Sequence, residues 1–477
     1  MPPAHHLIKD AEKPTVLIIG AGLAGAMLAI LLEKANVPYI LFERATEVKT
    51  LGAAIYLGPN VAAVLKQIGV YDEFISKSIL CNSINVFNEN RQSSFVMDFS
   101  EFGVLGGFDG YLLPRSVLYD IFLNQIPPEK IRWGKKVLSL MQNANGVMIR
   151  FSDGSTVDGD ILVGADGAYS GVRQSMYKQL AKAGKLPDSD AEGLPYSCAC
   201  LVGQTLPLDP EKFRELKDPV CHFDNILAQD RPYSWATFTT KDNIMCWQVN
   251  QYLDRTSSKT NDSFRNSEWG SEAAEAMCKE VRDFPIVGGD GTLTLGDLID
   301  NTPKERISKV MLEVKVFDTW HYGRTVLIGD ACHKINPAGG QGGITAIHDA
   351  IALANWINTL TSTSIDDIKT IFKEYKAERF EPAKAAFTHG QGMGQVSART
   401  MSARLTRFIT KNMPRWLWRM ILVKNAANRP QVSFLPLIED KGTVKPQDQP
   451  SLRKTLEILR AREEAAKADE TGLATAM

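Results

Sequence analysis

The chain has 477 residues, 44% of them hydrophobic, which is enough to bury more than one core and predicts two or three domains. Its 54 Lys and Arg residues balance 55 Asp and Glu residues, so its charge argues against a general affinity for nucleic acid or other polyanions. Seven cysteines without a CxxC pair, and without histidine at ligand spacing, favour reduced thiols in a cytoplasmic protein, and we expect no metal site.

A strand, a glycine-rich turn and a helix come first. Residues 15–19 are a β-branched and apolar run, typical of a buried parallel strand, and they lead into GAGLAG at residues 20–25. In chain order the glycines permit a tight turn, a close approach of backbone to a pyrophosphate, and close packing of the next helix: Gly20, Gly22 and Gly25. A second strand ends at Glu43, whose carboxylate is expected to accept the ribose hydroxyls of FAD or NAD.

The chain then alternates between helical and extended patterns. A strand end leads into a predicted helix with Arg115 at its mouth. An Asp-Gly turn at 153–154, between alternating residues, predicts a hairpin. Residues 160–173 predict another apolar strand that runs into an Asp-Gly pair at Asp166, which turn chemistry explains as well as ligand binding does.

A separate antiparallel sheet is predicted next, because alternating runs follow one another at 196–201, 220–223, 234–239 and 244–251. We therefore expect an α/β fold, with a Rossmann-like dinucleotide-binding domain, an inserted antiparallel β-sheet domain and a helical C-terminal region. The family resemblance described below makes the first an FAD-binding domain and the second a substrate domain. The expected FAD-binding segments are 1–80, 111–185 and 311–395, the substrate-domain segments are 81–110 and 186–310, and the helical region with its tail is 396–477.

A second glycine-rich block, GDACHKINPAGGQGG at residues 329–343, follows a short buried strand and precedes a long helix. A carboxylate at the end of a buried strand, here Asp330, can accept hydrogen bonds from ribityl hydroxyls. Successive glycines ahead of a helix expose N–H groups that stabilise negative charge on a reduced flavin. For His333, in the same block, a structural role is favoured over proton transfer. The two glycine-rich blocks together predict one FAD held at both ends.

The first glycine block, the Asp-Gly block and the Gly-Asp block, in this order and spacing, resemble the class A flavoprotein monooxygenases of the para-hydroxybenzoate hydroxylase type, particularly their fungal secondary-metabolism members. The likeness extends over residues 14–390. By this resemblance, the expected FAD-binding residues are Gly20, Gly22, Leu23, Ala24, Gly25, Glu43, Arg44, Arg115, Asp166, Gly329, Asp330, Pro337, Gly340, Gln341, Gly342 and Gly343.

The resemblance also implies the reaction. NAD(P)H reduces the bound FAD, dioxygen adds to form a C4a-hydroperoxide, and one oxygen atom passes to an organic substrate while the other leaves as water. We therefore expect an FAD-dependent monooxygenase that hydroxylates or epoxidises an apolar, ring-containing substrate. Two other functions use the same FAD blocks: an FAD-dependent reductase or dehydrogenase of a hydrophobic substrate, and a non-catalytic module that senses FAD or NAD.

In this family the middle domain forms the lid and floor of the substrate site, and we expect the same of the inserted sheet. Its inward face is predicted to use His222, Phe223, Tyr233, Trp235, Trp247 and Gln248. As a group they favour an apolar ring, although core packing explains any single aromatic better. If the substrate is a phenol, a base must help to deprotonate it, and Tyr233 and His222 are the candidates. Pro337, beside the flavin ring, completes the predicted catalytic set.

Basic and aromatic residues mix from residue 401 to residue 424, a pattern typical of a membrane interface and also of a helical cap over the core. No apolar run is long enough to span a bilayer. We expect a cytoplasmic protein with a small-molecule substrate, dioxygen and no nucleic acid partner, and peripheral membrane contact is one alternative for this segment. The tail from residue 455 is predicted to be a charged helix or a frayed end.

Overall fold

The computed structural model describes residues 13–47, 54–229, 231–257, 271–396 and 401–475. Residues 1–12 of the expected FAD-binding segment and residues 258–270 of the expected substrate domain lie outside the described residues. The described helices are α1 (Leu23–Lys34), α2 (Pro59–Gln67), α3 (Tyr71–Ser76), α4 (Phe102–Gly106), α5 (Arg115–Leu123), α6 (Gly171–Lys182), α7 (Asp188–Ala191), α8 (Ser271–Val281), α9 (Leu295–Ile299), α10 (Gly342–Asn358), α11 (Ile365–Val396), α12 (Met401–Lys411), α13 (Arg415–Ala427) and α14 (Pro450–Thr475).

The described strands are β1 (Val16–Ile19), β2 (Tyr39–Phe42), β3 (Ala54–Leu57), β4 (Ile79–Leu80), β5 (Ser83–Asn88), β6 (Ser93–Asp98), β7 (Tyr111–Pro114), β8 (Ile131–Arg132), β9 (Val137–Gln142), β10 (Val147–Phe151), β11 (Thr156–Gly159), β12 (Ile161–Gly164), β13 (Tyr196–Gln204), β14 (Phe223–Leu227), β15 (Tyr233–Thr239), β16 (Met245–Ser257), β17 (Ser308–Glu313), β18 (Lys315–Val316), β19 (His321–Tyr322), β20 (Thr325–Leu327) and β21 (His333–Lys334). Together with the helices they confirm the predicted α/β fold class.

A six-stranded sheet in the order β19-β20-β12-β1-β2-β8 lies within the largest hydrophobic core. β1 pairs in parallel with β2 and β12, β12 pairs in parallel with β20, and β19 is an antiparallel edge strand. Every residue of β1 is buried, as expected for a continuous apolar run in a parallel sheet. α1 and α10 pack against each other, so the helices that follow the two glycine-rich blocks are neighbours.

The second large sheet has seven strands in the order β17-β13-β16-β15-β14-β5-β6. Its neighbours are antiparallel except for β14 and β5, which are parallel. One face packs against residues of α8 and α9, and the other packs against the small sheet β3-β7-β4. Because successive side chains of a strand alternate between faces, the register decides which residues lie toward α5 and the glycine-rich blocks.

Smaller elements complete the fold. The predicted Asp-Gly hairpin joins β10 and β11, and Gly154 has the positive φ of +85° that such a turn requires. The tail forms α14, whose Ser451 backbone N–H donates to Glu378 of α11 at 2.6 Å. Within the described ranges, every helix is too short or too polar to cross a membrane.

Candidate functional site

The first glycine-rich turn is shaped by two close backbone contacts and one open position. Gly20 has φ +102°, and a Cβ there would lie 2.4 Å from the Ala165 carbonyl oxygen. A Cβ on Gly25 would lie 1.9 Å from the carbonyl oxygen of Gly20, so the helix can only pack this closely without a side chain. A Cβ on Gly22 would come no closer than 3.5 Å to another residue. The turn therefore leaves space beside Gly22, where the N–H groups at the start of α1 point outward.

Glu43 lies beside this turn and is hydrogen-bonded to it. Its Oε2 accepts the backbone N–H of Ala21 at 2.8 Å, and its Oε1 accepts that of Ala45 at 2.9 Å. The carboxylate is therefore held at the end of β2, next to the glycine-rich turn. Arg44, which follows it, is exposed. This arrangement fits an acceptor for ribose hydroxyls beside a pyrophosphate site.

The two glycine-rich blocks meet in space. A Cβ on Gly329 would lie 3.2 Å from the Cβ atoms of both Ala24 and Ala346, so this glycine is wedged between α1 and α10. A Cβ on Gly343 would lie 3.2 Å from the Leu23 side chain and 2.9 Å from Ile55 of β3. The predicted anchors, distant in sequence, thus form one continuous surface.

Asp330 follows Gly329 in a short 3-10 turn at the end of β20, and it pairs with Lys334 Nζ at 2.6 Å. Burial alone would raise the pKa of this carboxyl, but Lys334 and, more weakly, Arg115 outweigh burial and leave the pKa below its usual value. Arg115 is exposed at the first position of α5, as its predicted place at a helix mouth required. The lowered pKa favours the ionised form of Asp330, which can then accept hydrogen bonds.

Asp349 of α10 holds the second glycine-rich block in place through hydrogen bonds. It is fully buried and accepts the Gly329 backbone N–H at 2.9 Å and the Arg379 Nε at 2.9 Å. It also bonds to His333 Nε2 at 2.5 Å. Since His333 is fully buried, this contact matches the structural role expected for it. Cys332 lies in the same group, and hydrogen bonds engage both carboxylate oxygens of Asp349.

The loop after Asp330 offers open backbone. Pro337 begins a short exposed 3-10 turn, and Gly340 ends it with φ +63°. A Cβ on Gly340 or on Gly342 would meet nothing within 4 Å. Gln341 precedes α10 as its N-cap, without a side-chain hydrogen bond to the helix. N–H groups at this helix start therefore face free space, which fits a planar ring with negative charge at its edge.

The Asp-Gly loop reaches the same region. Asp166 accepts the backbone N–H of Val172 at 3.2 Å through one oxygen, while its other oxygen is buried without a partner. Burial raises the pKa of this carboxyl. Arg173 donates to the carbonyl of Ala331 at 2.8 Å and thereby ties this loop to the Gly329 turn. An unsatisfied buried acceptor beside two glycine-rich turns is an observation that a bound polar ligand would explain.

The aromatic set expected on one inward face divides between the two faces of the seven-stranded sheet. Phe223 and Gln248 lie with Ala236 on the face that packs against β7. Ser116 of α5 donates to Gln204 of the same face at 3.3 Å, so this face lies toward the glycine-rich blocks. Those of the set on the opposite face are Tyr233, Trp235 and Trp247. His222 precedes β14 and lines a cavity together with Asp224.

These positions argue against both predicted bases. The Tyr233 hydroxyl donates to Glu280 and accepts from Gln251 Nε2 at 2.8 Å, and burial together with Glu280 raises its pKa. His222 pairs with Asp218 at 2.6 Å and lines an open cavity of about 500 Å³. Strand alternation places Tyr233 on the face remote from α5, and His222 lies before β14. Pro337 alone of the predicted catalytic set lies beside the glycine-rich blocks.

Some residues at this site carried no signal in the sequence pattern. The Tyr169 hydroxyl, just after the Asp-Gly pair, donates to Glu313 of β17, which is 1% exposed. This contact joins the Asp-Gly loop to the inserted sheet across 144 residues. The ion pair between Lys334 and Asp330 was predictable from the sequence, because the two residues are four positions apart. The position of Ile55 beside Gly343 was not predictable, because its strand has no distinctive sequence pattern.

Comparison with known proteins adds a family match. The model of the FAD binding domain family matches residues 13–189 and 294–389. The FAD-dependent monooxygenase paxM of Penicillium paxilli is 30% identical over 382 residues, covering 77% of this chain and 75% of that protein. The FAD-dependent monooxygenase atmM of Aspergillus flavus is 27% identical over 447 residues, covering 91% of this chain and 89% of that protein.

Solved structures share the fold. Klebsiella pneumoniae HpxO complexed with FAD and uric acid has a TM-score of 0.67 at 17% identity, with 87% of this chain and 97% of that chain covered. A salicylate hydroxylase substrate complex has a TM-score of 0.62 at 18% identity, with 88% and 100% covered.

Proposed function

Because this chain belongs to the FAD-binding-domain family of FAD-dependent monooxygenases, we propose that it hydroxylates or epoxidises an apolar, ring-containing molecule between the glycine-rich blocks and the inserted sheet. The resemblance to class A flavoprotein monooxygenases is confirmed. FAD is the cofactor, NAD(P)H is the reductant, and a small-molecule substrate and dioxygen are consumed. One observation carries the location of the site: Gly329 and Gly343 contact α1, so both FAD-directed blocks share one surface.

The residues present fit FAD, which when bound supplies the electron transfer and oxygen activation. In this proposal the N–H groups at the start of α1 bind the pyrophosphate, and Glu43 accepts the ribose hydroxyls. Asp330 accepts the ribityl hydroxyls, and Arg115 adds positive charge near them. The open backbone from Gly340 to Gly343 stabilises negative charge at the ring edge. Support comes from the uncrowded glycines and from the unpartnered oxygen of Asp166.

The substrate side of the proposal uses the sheet face that bonds to α5. Phe223 and Phe238 stack there in a T-shaped pair 4.3 Å apart, beside the small residue Ala236. Gln248 and Asn250 are half-buried on the same face. A mostly apolar surface with a few amide groups supports an apolar ring that carries a small number of hydrogen-bonding groups.

The function is tested with a panel of apolar ring compounds, NAD(P)H and isotopically labelled dioxygen. We expect at least one compound to stimulate NAD(P)H oxidation and to gain one labelled oxygen atom, with FAD content measured on the same sample. A product without label would instead establish the reductase or dehydrogenase reaction. FAD-loaded protein whose NAD(P)H oxidation no compound stimulates is the result that a sensing module predicts, and it would count against the proposed oxygenation.

The substrate face is tested with two glutamines of β16 that lie on opposite faces. Gln248→Ala is expected to lower kcat/KM at least several-fold, because it removes an amide from the proposed pocket while FAD binding stays intact. Gln251→Ala is the matched control, since its amide bonds to Tyr233 on the far face. A larger loss of kcat/KM in the Gln251 variant than in the Gln248 variant would indicate that the substrate binds on the Tyr233 face, which contradicts the proposal.

We also propose a cytoplasmic location with peripheral membrane contact through residues 401–424. All seven cysteines are free and buried, which supports a reducing compartment. The proposed membrane contact rests on the mixed basic and aromatic composition of this segment.

A further inference from the structure

Helix α12 exposes three apolar side chains among its described residues. Leu405, Phe408 and Ile409 have the spacing of one helix face, and they are 60%, 65% and 52% exposed. Thr406 and Thr410, on another face, are more buried than these three. A surface helix of a water-soluble domain normally buries its apolar stripe and exposes its polar one. α12 is therefore inverted, and its outer face is suited to an apolar surrounding.

Helix α13 extends the same kind of surface. Trp416 and Met420 are one turn apart and are 66% and 59% exposed. The opposite face anchors the helix, because Leu422 is buried and the Trp418 indole N–H donates to the carbonyl of Asp98. The helix is thus held in place while an indole and a thioether remain outside. We call the exposed set on α12 and α13 the docking surface: Leu405, Phe408, Ile409, Trp416 and Met420.

The charge around the docking surface has one sign. Residues 401–427 contain six Lys and Arg residues and no Asp or Glu, although the whole chain is almost neutral. Lys411, Arg415 and Lys424 are exposed beside the apolar residues. Arg419 pairs with Glu101, a carboxylate from outside this segment, at 3.0 Å. Exposed aromatic residues flanked by cations complement an anionic lipid headgroup layer.

We infer that α12 and α13 dock on the surface of an anionic phospholipid bilayer. Trp416 and Phe408 enter the headgroup region, and Lys411, Arg415 and Lys424 face the lipid phosphates. A second copy of the chain suits this surface less, because a two-fold contact would oppose like charges. The inference rests on the proposed peripheral location and gives it a surface and a lipid class. Because the inner side of α13 packs with Phe99 and Phe102 below the substrate face, docking brings that face close to a source of apolar substrate.

The test uses the full-length holoprotein with sedimenting vesicles of phosphatidylcholine, alone or mixed with phosphatidylserine. We expect binding to the mixed vesicles that weakens as salt is raised. The triple variant K411Q/R415Q/K424Q is expected to bind about fivefold more weakly for each charge removed. The variant F408S/W416S is expected to lose binding at every salt concentration, since the apolar contribution is removed. The matched control K178Q/K182Q/K185Q removes three exposed charges elsewhere and is expected to bind like the unmodified protein.

Failure of the holoprotein to sediment with mixed vesicles would overturn the inference, and so would equal binding by the docking-surface variants and the control. A dimer abolished by F408S/W416S, without vesicle binding, would overturn it in favour of self-association. FAD content checks that each variant folds, and the salt dependence of the unmodified protein decides the matter if one does not. Substrate-stimulated NAD(P)H oxidation is measured separately: turnover without vesicle binding refutes docking alone, and vesicle binding without turnover refutes only the proposed oxygenation.

Discussion

Replacing Asp349 by Asn should loosen the junction between the second glycine-rich block and the helices behind it. The carboxylate is 0% exposed and receives hydrogen bonds from the Gly329 N–H and from Arg379, and it also contacts His333. Asn removes the negative charge. Its amide N–H group also replaces one of two acceptor oxygens that now receive hydrogen bonds from the Gly329 N–H and Arg379. Arg379, which is 6% exposed, is left without its counter-ion. The variant therefore leaves a buried cation unpaired and weakens the hydrogen bond that holds the Gly329 turn.

The expected size of the effect follows from these contacts. Removing one partner of a buried ion pair costs about 3–5 kcal/mol. At about 2 °C per kcal/mol, the lower end for large domains, the melting temperature should fall by about 6–10 °C. Arg379→Met should cost a similar amount, because it leaves the carboxylate unpaired. The double variant D349N/R379M should lose less free energy of unfolding than the two single variants lose together, since neither partner of this ion pair then remains as an unpaired charge.

The assay is thermal unfolding of the holoprotein and the FAD-stripped protein. Glu211→Gln is the control, because its pair with Lys217 is exposed and such pairs contribute about 1 kcal/mol or less. Burial alone would raise the pKa of Asp349, but His333 and Arg379 outweigh it and lower the pKa. A depressed folded pKa adds stability above the unfolded value of about 3.9, and this stability is lost as pH falls through the folded value.

The stability difference between the unmodified protein and the Asp349→Asn variant should therefore be flat from about pH 5 to 8 and shrink in stronger acid. A melting temperature for this variant as high as that of the Glu211→Gln control would refute the reasoning. Strict additivity in the double variant would refute the pairing with Arg379.

Other substitutions test the site and its corrections. Asp330→Ala is expected to lose bound FAD, read as the ratio of flavin to protein absorbance, whereas Lys334→Ala keeps most of it; full flavin content in the Asp330 variant would contradict the ribityl role. Tyr233→Phe is expected to keep substrate-stimulated turnover and to lose about 1 kcal/mol in denaturant unfolding, because a partly buried hydrogen bond to the exposed Glu280 carboxylate disappears; a loss of turnover at full stability would return Tyr233 to the active site. Gly25→Ala should prevent FAD binding, since its Cβ would lie 1.9 Å from a carbonyl oxygen, whereas Gly340→Ala meets empty space and costs about 1–2 kcal/mol for its positive φ; equal FAD content in these two variants would contradict the packing argument.

The first glycine-rich turn was predictable because its geometry is local. The spacing of Gly20, Gly22 and Gly25 already separates positions of backbone crowding from a position of open space, and the structure has that division. The strand that precedes Glu43 follows within the same βαβ unit. Here the residues that make the contacts lie within one short stretch of chain, so their pattern carries the structural information.

Contacts across the fold left no such pattern. Arg379 joins Asp349 from 30 residues away, and Tyr169 joins Glu313 from 144 residues away. Both pairs depend on how helices and sheets are stacked, which periodicity does not encode. These contacts hold in place the turns that the local motifs form. Sequence motifs therefore predict the turns but not the long-range contacts that stabilise them.

The substrate face shows how one residue of register changes a functional interpretation. Alternation along β15 and β16 separates two sets of side chains, but it does not say which set α8 and α9 cover. The structure turns Trp235 and Trp247 toward those helices, and Ala236, Cys246 and Gln248 toward β7 and α5. A shift of one position would have filled the substrate side with indole rings. Ala236, Cys246 and Gln248 lie at those positions instead, beside Phe223 and Phe238. Because these three side chains are smaller than indole rings, the sheet leaves room for a larger apolar substrate than two tryptophans would have allowed.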